Sequence, residues 1–186
     1  MKIPIALITC LVLVGCAPQE EPQARSETEA VKKAKSAAQA AFQGLSAELA
    51  KAMAEGGPTK AIPVCSSKAG SLTSQVAAEQ GVTMVRLSDR PRNPDQRAEG
   101  DDLTALEAMK SARKSQIDWK QDGAAVVRLP IVLNNPICLN CHGGEQDIAP
   151  ETRAVLGELY PEDEATGFAM NDLRGMWRIE VPPPSN

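Results

Sequence analysis

Cys138 and Cys141 flank Leu139 and Asn140, and the residue that follows, His142, is the only histidine in the chain. Two thiols at this spacing can each add to one vinyl group of a haem, and the adjacent imidazole then meets the iron from the same short segment. Other chemistries use a Cys-x-x-Cys pair. A zinc half-site needs further ligands, and only a small supply of thiols and no second histidine remain. A thioredoxin-like redox pair is expected after a strand at a helix start and has no use for His142. A structural disulfide would leave the histidine equally unexplained. The pattern therefore points to one covalently bound haem c, with Cys138 and Cys141 as thioether donors and His142 as proximal ligand.

The opposite face of the iron needs its own answer. Paired histidines are impossible with a single His. The remaining donors are Cys65, the methionines Met53, Met84, Met109, Met170 and Met176, a lysine, or water. Methionine at helical spacing is commonly core filler, and an unpaired cysteine is commonly buried as a small apolar residue. An odd thiol in an oxidising compartment nevertheless calls for an explanation.

The N-terminus supplies that compartment. "MKIPIALITCLVLVGCAPQE" has one Lys, an apolar run from Ile3 to Val14, and then Leu13-Val14-Gly15-Cys16. This is the pattern of a secretory signal ending in a lipobox, too short for a spanning helix. Residues 1–15 are expected to be removed and Cys16 to be lipidated, since two or more acyl chains give stable anchoring. The expected location is the periplasmic face of a bacterial membrane, and Ala17 after the lipidated cysteine points towards the outer one. Residues 16–28 then form the anchor and a polar, proline-containing tether, residues 29–182 the domain, and 183–186 a tail.

Composition narrows the rest. With 42% hydrophobic and 24% charged residues, the 186-residue chain suits one globular domain. Five aromatic side chains are few for a core, and a flat apolar cofactor would help fill it. A net charge of −4 with scattered basic residues excludes nucleic acid as a partner.

Positioning elements follow from periodicity. Val31, Ala34, Ala38, Ala41, Phe42, Leu45, Leu49, Ala52 and Met53 trace one face of an amphipathic helix stopped by Gly56-Gly57-Pro58. A second helix from about Thr59 to Gln80 carries Ile62, Cys65, Ala69, Leu72 and Val76 on one stripe, so Cys65 faces inward. "GVTMVRLS" and "AAVVRLPIVL" read as strands, the segment from Leu103 to about Ile117 as a helix, and Glu151 to Leu159 as a short helix. "YPEDEATGFAMNDLRGMWRIEVPPP" reads as a hairpin and a final strand stopped by prolines. Helices leading into a small sheet make an α+β domain.

The blocks "AIPVC", "VRLSDRPRNP", "LPIVLNNPICLNCHGG", "YPEDEATGF" and "NDLRGMWRIEVP" resemble, in matching order over about Ala30 to Val181, the periplasmic monohaem c-type proteins with a PAS-like haem domain. This is a domain-of-unknown-function family whose domain also serves as the extracytoplasmic sensory part of bacterial signalling proteins. The resemblance implies a PAS-like α+β fold, with N-terminal helices packed on a small antiparallel sheet around the haem. It also implies that Cys65, the cysteine of "AIPVC", is the sixth iron ligand, with Met84 and then water as the alternatives. The loop departs from the family pattern at Gln96, Ala98-Glu99 and Asp102, which weakens any carry-over of loop roles. Arg86, Arg90 and Arg92 are candidate partners for haem propionates, and Arg92 is the favoured one.

A thiolate ligand favours Fe(III) and a low potential, and two protein ligands leave no coordination position for substrate. The expectation is a non-enzymatic, lipid-anchored redox carrier with an unidentified redox partner. The alternative is a haem-based redox or diatomic-gas sensor acting through a signalling partner.

Overall fold

The computed structural model describes residues 22–184. The leader, Cys16, the start of the tether and the last two residues of the tail lie outside the described residues. Helix α1 spans Pro22–Gln80, so the helix already occupies part of the stretch expected as tether. It is two helical segments joined by a kink, because Gly56 is extended and Gly57 has φ 67°, a conformation that favours glycine. Pro58 opens the second segment, where a missing N–H is least costly, whereas Pro63 lies beyond the first turn and forgoes the bond to the Thr59 carbonyl. Among the described residues no helix is long and apolar enough to cross a membrane.

Strand β1 (Thr83–Leu87) is followed by α2 (Gly100–Ala112), β2 (Gln116–Trp119), β3 (Ala125–Val132), the one-turn helix α3 (Leu139–His142), α4 (Pro150–Leu159) and β4 (Leu173–Val181). The strands form one four-stranded sheet in the order β1-β4-β3-β2, and each pairing is antiparallel. The α+β expectation holds. Pro130 is tolerated in β3 because β2 pairs only as far as Arg128, leaving β3 an edge at that point.

Both sheet faces are covered. On one, Val127, Leu129, Trp177, Ile179 and Val181 pack against Ala30, Ala34, Ala37, Ala38 and Ala41 of α1. Alanines let the helix lie close to the sheet, so few large side chains are needed. Each fully buried Val or Ile here contributes about 1.5–3 kcal/mol. On the other face, Leu106 and Met109 of α2 meet Leu173 and Met176 of β4. There Arg128, only 5% exposed, is neutralised by Asp102 at 2.6 Å and by Asp118, joining α2, β2 and β3.

Three sequence expectations are corrected. The helix expected over Leu103 to Ile117 begins at Gly100 and ends at Ala112, where Arg113 adopts φ 54° and breaks the helical path. Ile117 belongs instead to β2. No hairpin forms in residues 160–172; among the described residues only β4 follows α4. Phe42, expected on the inward stripe of α1, is 65% exposed, because the stripe that meets the sheet is carried by the alanines.

Candidate functional site

The Cys138–His142 turn is built by local chemistry. Asn135 caps a 3-10 turn over Pro136–Cys138 by accepting the Ile137 N–H on its side-chain oxygen at 3.1 Å, and Pro136 needs no donor there. The chain then turns once more as α3, and the Gly143 N–H closes it on the Leu139 carbonyl at 2.8 Å. Both cysteines and His142 are left half-buried on this single compact turn.

The irregular segment before β4 fixes His142. Phe168 and Gly167 donate their N–H groups to the carbonyls of His142 and Gly143 at 2.9 and 2.7 Å. The imidazole Nδ1 lies 2.8 Å from the Ala165 carbonyl. A carbonyl can only accept, so Nδ1 carries the proton and Nε2 keeps its lone pair. The Arg174 Nε group, 3.4 Å from the same Nδ1, is then a second donor beside a donor and makes an electrostatic contact only. Phe168 packs edge-on to the imidazole, with ring centroids 6.5 Å apart. Burial, reinforced by the charges of Arg92 and Arg174, holds His142 well below its usual pKa and keeps it neutral. A neutral imidazole with one fixed tautomer is what metal ligation requires.

Arg92 holds the turn from the other side. Its guanidinium donates to Asp163 at 3.1 Å, to the Cys141 carbonyl at 2.5 Å and to the Ala165 carbonyl at 3.4 Å. Asp163 in turn accepts the Ala165 N–H at 2.8 Å. Arg92, expected as a propionate partner, thus has donors committed to the protein itself. Arg90 reaches the carbonyls of Glu164 and Thr166 and lies over the Phe168 ring at 4.2 Å. Arg174 is partly buried among cationic neighbours, and that burial, before the charge of Arg92, lowers its pKa to about 10.

Cys65 arrives from the second segment of α1. Ile62, one turn before it and 4% exposed, packs with Ile148 and Leu156 against Cys141, Val155 and Tyr160. Cys65 is half-buried there, and burial pushes its thiol pKa up while Arg86 and Arg92 pull it down. Cys141 behaves alike: burial raises it, Arg92 lowers it, and the charges of Cys65 and Cys138 raise it again. The cysteine at position 65 and the Cys138–His142 turn are therefore neighbours. Met84, by contrast, lies on β1 opposite Ile179 and packs into the α1–sheet core, while Met109 and Met176 are fully buried between α2 and the sheet.

A family model described as Tll0287-like: Tll0287 matches residues 19–182. The chain belongs to the Tll0287-like family. Among solved structures it is similar to the cyanobacterial haem-protein Tll0287, at 23% identity and a TM-score of 0.61, covering 90% of this chain and 99% of that one. That likeness extends over the helices and the sheet alike. No curated protein sequence matches the chain.

The donor set of this Tll0287-like chain suits a haem. It offers two thiols on one turn, an imidazole with Nε2 free, and a third thiol beside them. Among the described residues no three His, Cys, Asp or Glu side chains are grouped as around a bare metal ion. Sequence reasoning missed Asp163, the Ala165 carbonyl, Arg174 and Phe168. "YPEDEATGF" marked the segment as characteristic, but nothing in its pattern assigned these contacts to His142.

Proposed function

We propose that this protein is a lipid-anchored, extracytoplasmic monohaem c-type cytochrome that carries electrons. Cys138 and Cys141 would form the thioethers, His142 would hold the iron through Nε2, and Cys65 would be its second protein ligand. The observation that carries this reading is the shared cluster of Ile62, Ile148 and Leu156 against which Cys141 packs, which brings the helical turn before Cys65 to the neighbourhood of the Cys-x-x-Cys-His turn. The description of the cyanobacterial relative as a haem-protein adds support.

A bound haem supplies one-electron cycling between Fe(II) and Fe(III). The chain's own residues do the rest. The Ala165 carbonyl fixes the His142 proton on Nδ1, and the Arg92–Asp163 pair holds the backbone on both sides of the imidazole. Burial pushes the thiol of Cys65 up, and as a thiolate ligand it would stabilise Fe(III) and lower the potential of a haem held there. A haem held by both His142 and Cys65 would offer no open position to a substrate, so the protein is read as a carrier and not an enzyme. Anchoring through Cys16 and delivery to a redox protein at the membrane surface complete the proposal.

The test is the ferric absorption and electron paramagnetic resonance spectrum of the purified holoprotein beside Cys65→Ser. A low-spin thiolate-type signal, lost in the variant, is the expected result. An unchanged spectrum in Cys65→Ser would remove Cys65 from the iron. Reduction that leaves the ligands in place and admits no CO supports a carrier, whereas CO binding with loss of the thiolate would turn the reading to a sensor.

A further inference from the structure

Ser88, only 3% exposed, spends its hydroxyl on two arginines. It donates to the Arg174 carbonyl at 2.8 Å and accepts the Arg90 N–H at 3.1 Å and Arg174 Nη1 at 3.0 Å, which uses its one donor and both acceptor positions. Arg174 Nη1 also donates to the Arg90 carbonyl at 3.2 Å. Gly175 allows β4 to come this close to the end of β1, because a Cβ there would collide with the Leu87 carbonyl oxygen. Braced through its backbone and its Nη1 end, Arg174 sets its Nε 3.4 Å from His142 Nδ1, with the N–H directed at that ring nitrogen.

That placement does not complete a hydrogen bond. The Ala165 carbonyl at 2.8 Å keeps the proton on Nδ1, so Arg174 presents a donor and a positive charge to an N–H. Among the described residues no carboxylate pairs with it: Asp163, whose charge acts on it, is bonded to Arg92 instead. Its remaining contacts are the Ser88 hydroxyl, the Arg90 carbonyl and the Phe168 ring, 5.4 Å away, and all are neutral. Holding the loop does not call for such a cation, since the Phe168 N–H and the Arg92–Asp163 pair already do so.

We propose that Arg174 acts through His142: its cation against Nδ1 limits the electron density that Nε2 gives to an iron, and raises the potential of the haem against the pull of a thiolate. The inference rests on the haem reading above. Two neighbours of Nδ1 then work in opposite directions. The Ala165 carbonyl polarises the N–H and makes the ring a stronger donor, while the Arg174 charge disfavours positive charge on the same ring. Fe(III) draws more on the ring than Fe(II), so the cation destabilises the oxidised state more. Arg90 supplies a comparison within the same cluster. Its guanidinium lies 4.2 Å over the Phe168 ring and bonds the carbonyls of Glu164 and Thr166, not the imidazole.

The experiment compares holoprotein from wild type, Arg174→Gln, Arg174→Lys, Arg90→Gln and Ser88→Ala. Intact mass reports haem attachment, electron paramagnetic resonance reports the ligand set, and a redox titration reports the potential. Expected for Arg174→Gln is attached haem with the wild-type low-spin signal and a lower potential. Arg174→Lys, which keeps the charge, should stay nearer to wild type, and Arg90→Gln should lower the potential less than Arg174→Gln. An unchanged potential in Arg174→Gln overturns the inference, as does one lowered equally in Arg90→Gln, which would show a general field of the arginine cluster. A raised potential with an altered ferric signal would make Arg174 a structural support of the ligands and would also overturn it. Should Arg174→Gln attach no haem, Ser88→Ala decides, because it keeps the charge but frees its Nη1 end: a lowered potential supports the inference and an unchanged one overturns it. A wild-type protein carrying no haem would overturn the underlying function, and this inference with it.

Discussion

His142 Nδ1 points at the Ala165 carbonyl oxygen across 2.8 Å, and Ala165 is itself held by Asp163, which accepts its N–H at 2.8 Å. The position of the imidazole is thus set by a backbone carbonyl, and that carbonyl by a carboxylate. Asp163 also anchors Arg92, whose guanidinium reaches the Cys141 carbonyl. One acidic residue therefore steadies both the proposed iron ligand and the proposed thioether donor before it.

Asp163→Asn tests this arrangement. The Asp163 and Arg92 side chains are 10% and 14% exposed, so the substitution leaves a largely buried cation without its counter-charge. Breaking such a pair costs about 3–5 kcal/mol. In the holoprotein, removing a negative charge beside the proposed iron ligand should also raise the reduction potential. Thermal melting and a redox titration read both effects. A variant with wild-type melting and potential would show that Asp163 only decorates the loop.

Asp89 offers a measurement in acid. Burial pushes its carboxyl up, but the hydrogen bond and charge of Lys110, with the oxygen and nitrogen 2.7 Å apart, outweigh this and hold it below the usual carboxylate value. A group depressed in the folded state stabilises above its unfolded pKa, and the stabilisation disappears as pH falls through the folded one. Lys110 is 44% exposed, so the contribution is under about 1 kcal/mol. Asp89→Asn should therefore be less stable than wild type at about pH 5, with the two denaturation midpoints converging towards about pH 3. A constant gap across that range would mean the pair does not titrate with folding.

The readable part of the site is the part whose chemistry demands local spacing. Cys138, Cys141 and His142 would have to sit within one turn to meet one cofactor, so the roles proposed for them can be read from consecutive residues. Cys65 was one of several open donors by residue type and was singled out by resemblance, because its proximity depends on Ile62 packing with Ile148 and Leu156, residues far along the chain. Residues 160–172 looked like a hairpin because their polar turn residues resemble hairpin loops. The backbone instead spends its hydrogen bonds on the carbonyls of Leu133, His142 and Gly143. The end of α2 was hidden for a related reason: Arg113 adopts a left-handed conformation without being Gly or Asn. Short β2 offered too few alternating positions to displace a helical reading.

Gly143 is where the turn has least room. A Cβ there would lie 2.5 Å from the Asp147 Cβ, 2.6 Å from its Oδ2 and 2.7 Å from the Leu139 carbonyl. None of these neighbours moves freely: the Leu139 oxygen accepts the Gly143 N–H at 2.8 Å, and Asp147 Oδ2 accepts the Gly144 N–H at 2.8 Å. Gly143→Ala must therefore open the turn that carries Cys138, Cys141 and His142. Overpacking of this kind costs about 1–3 kcal/mol, or roughly 2–4 °C of melting temperature per kcal/mol at this chain length. The neighbouring Gly144→Ala is the control, because its nearest contact would be Asp147 Oδ2 at an ordinary 3.6 Å. Gly143→Ala should melt lower and carry less covalently attached haem by intact mass, while Gly144→Ala should match wild type. Equal behaviour of the two variants would show that the turn can relax around a methyl group, and that its glycine is not what keeps the thiols and the imidazole in register.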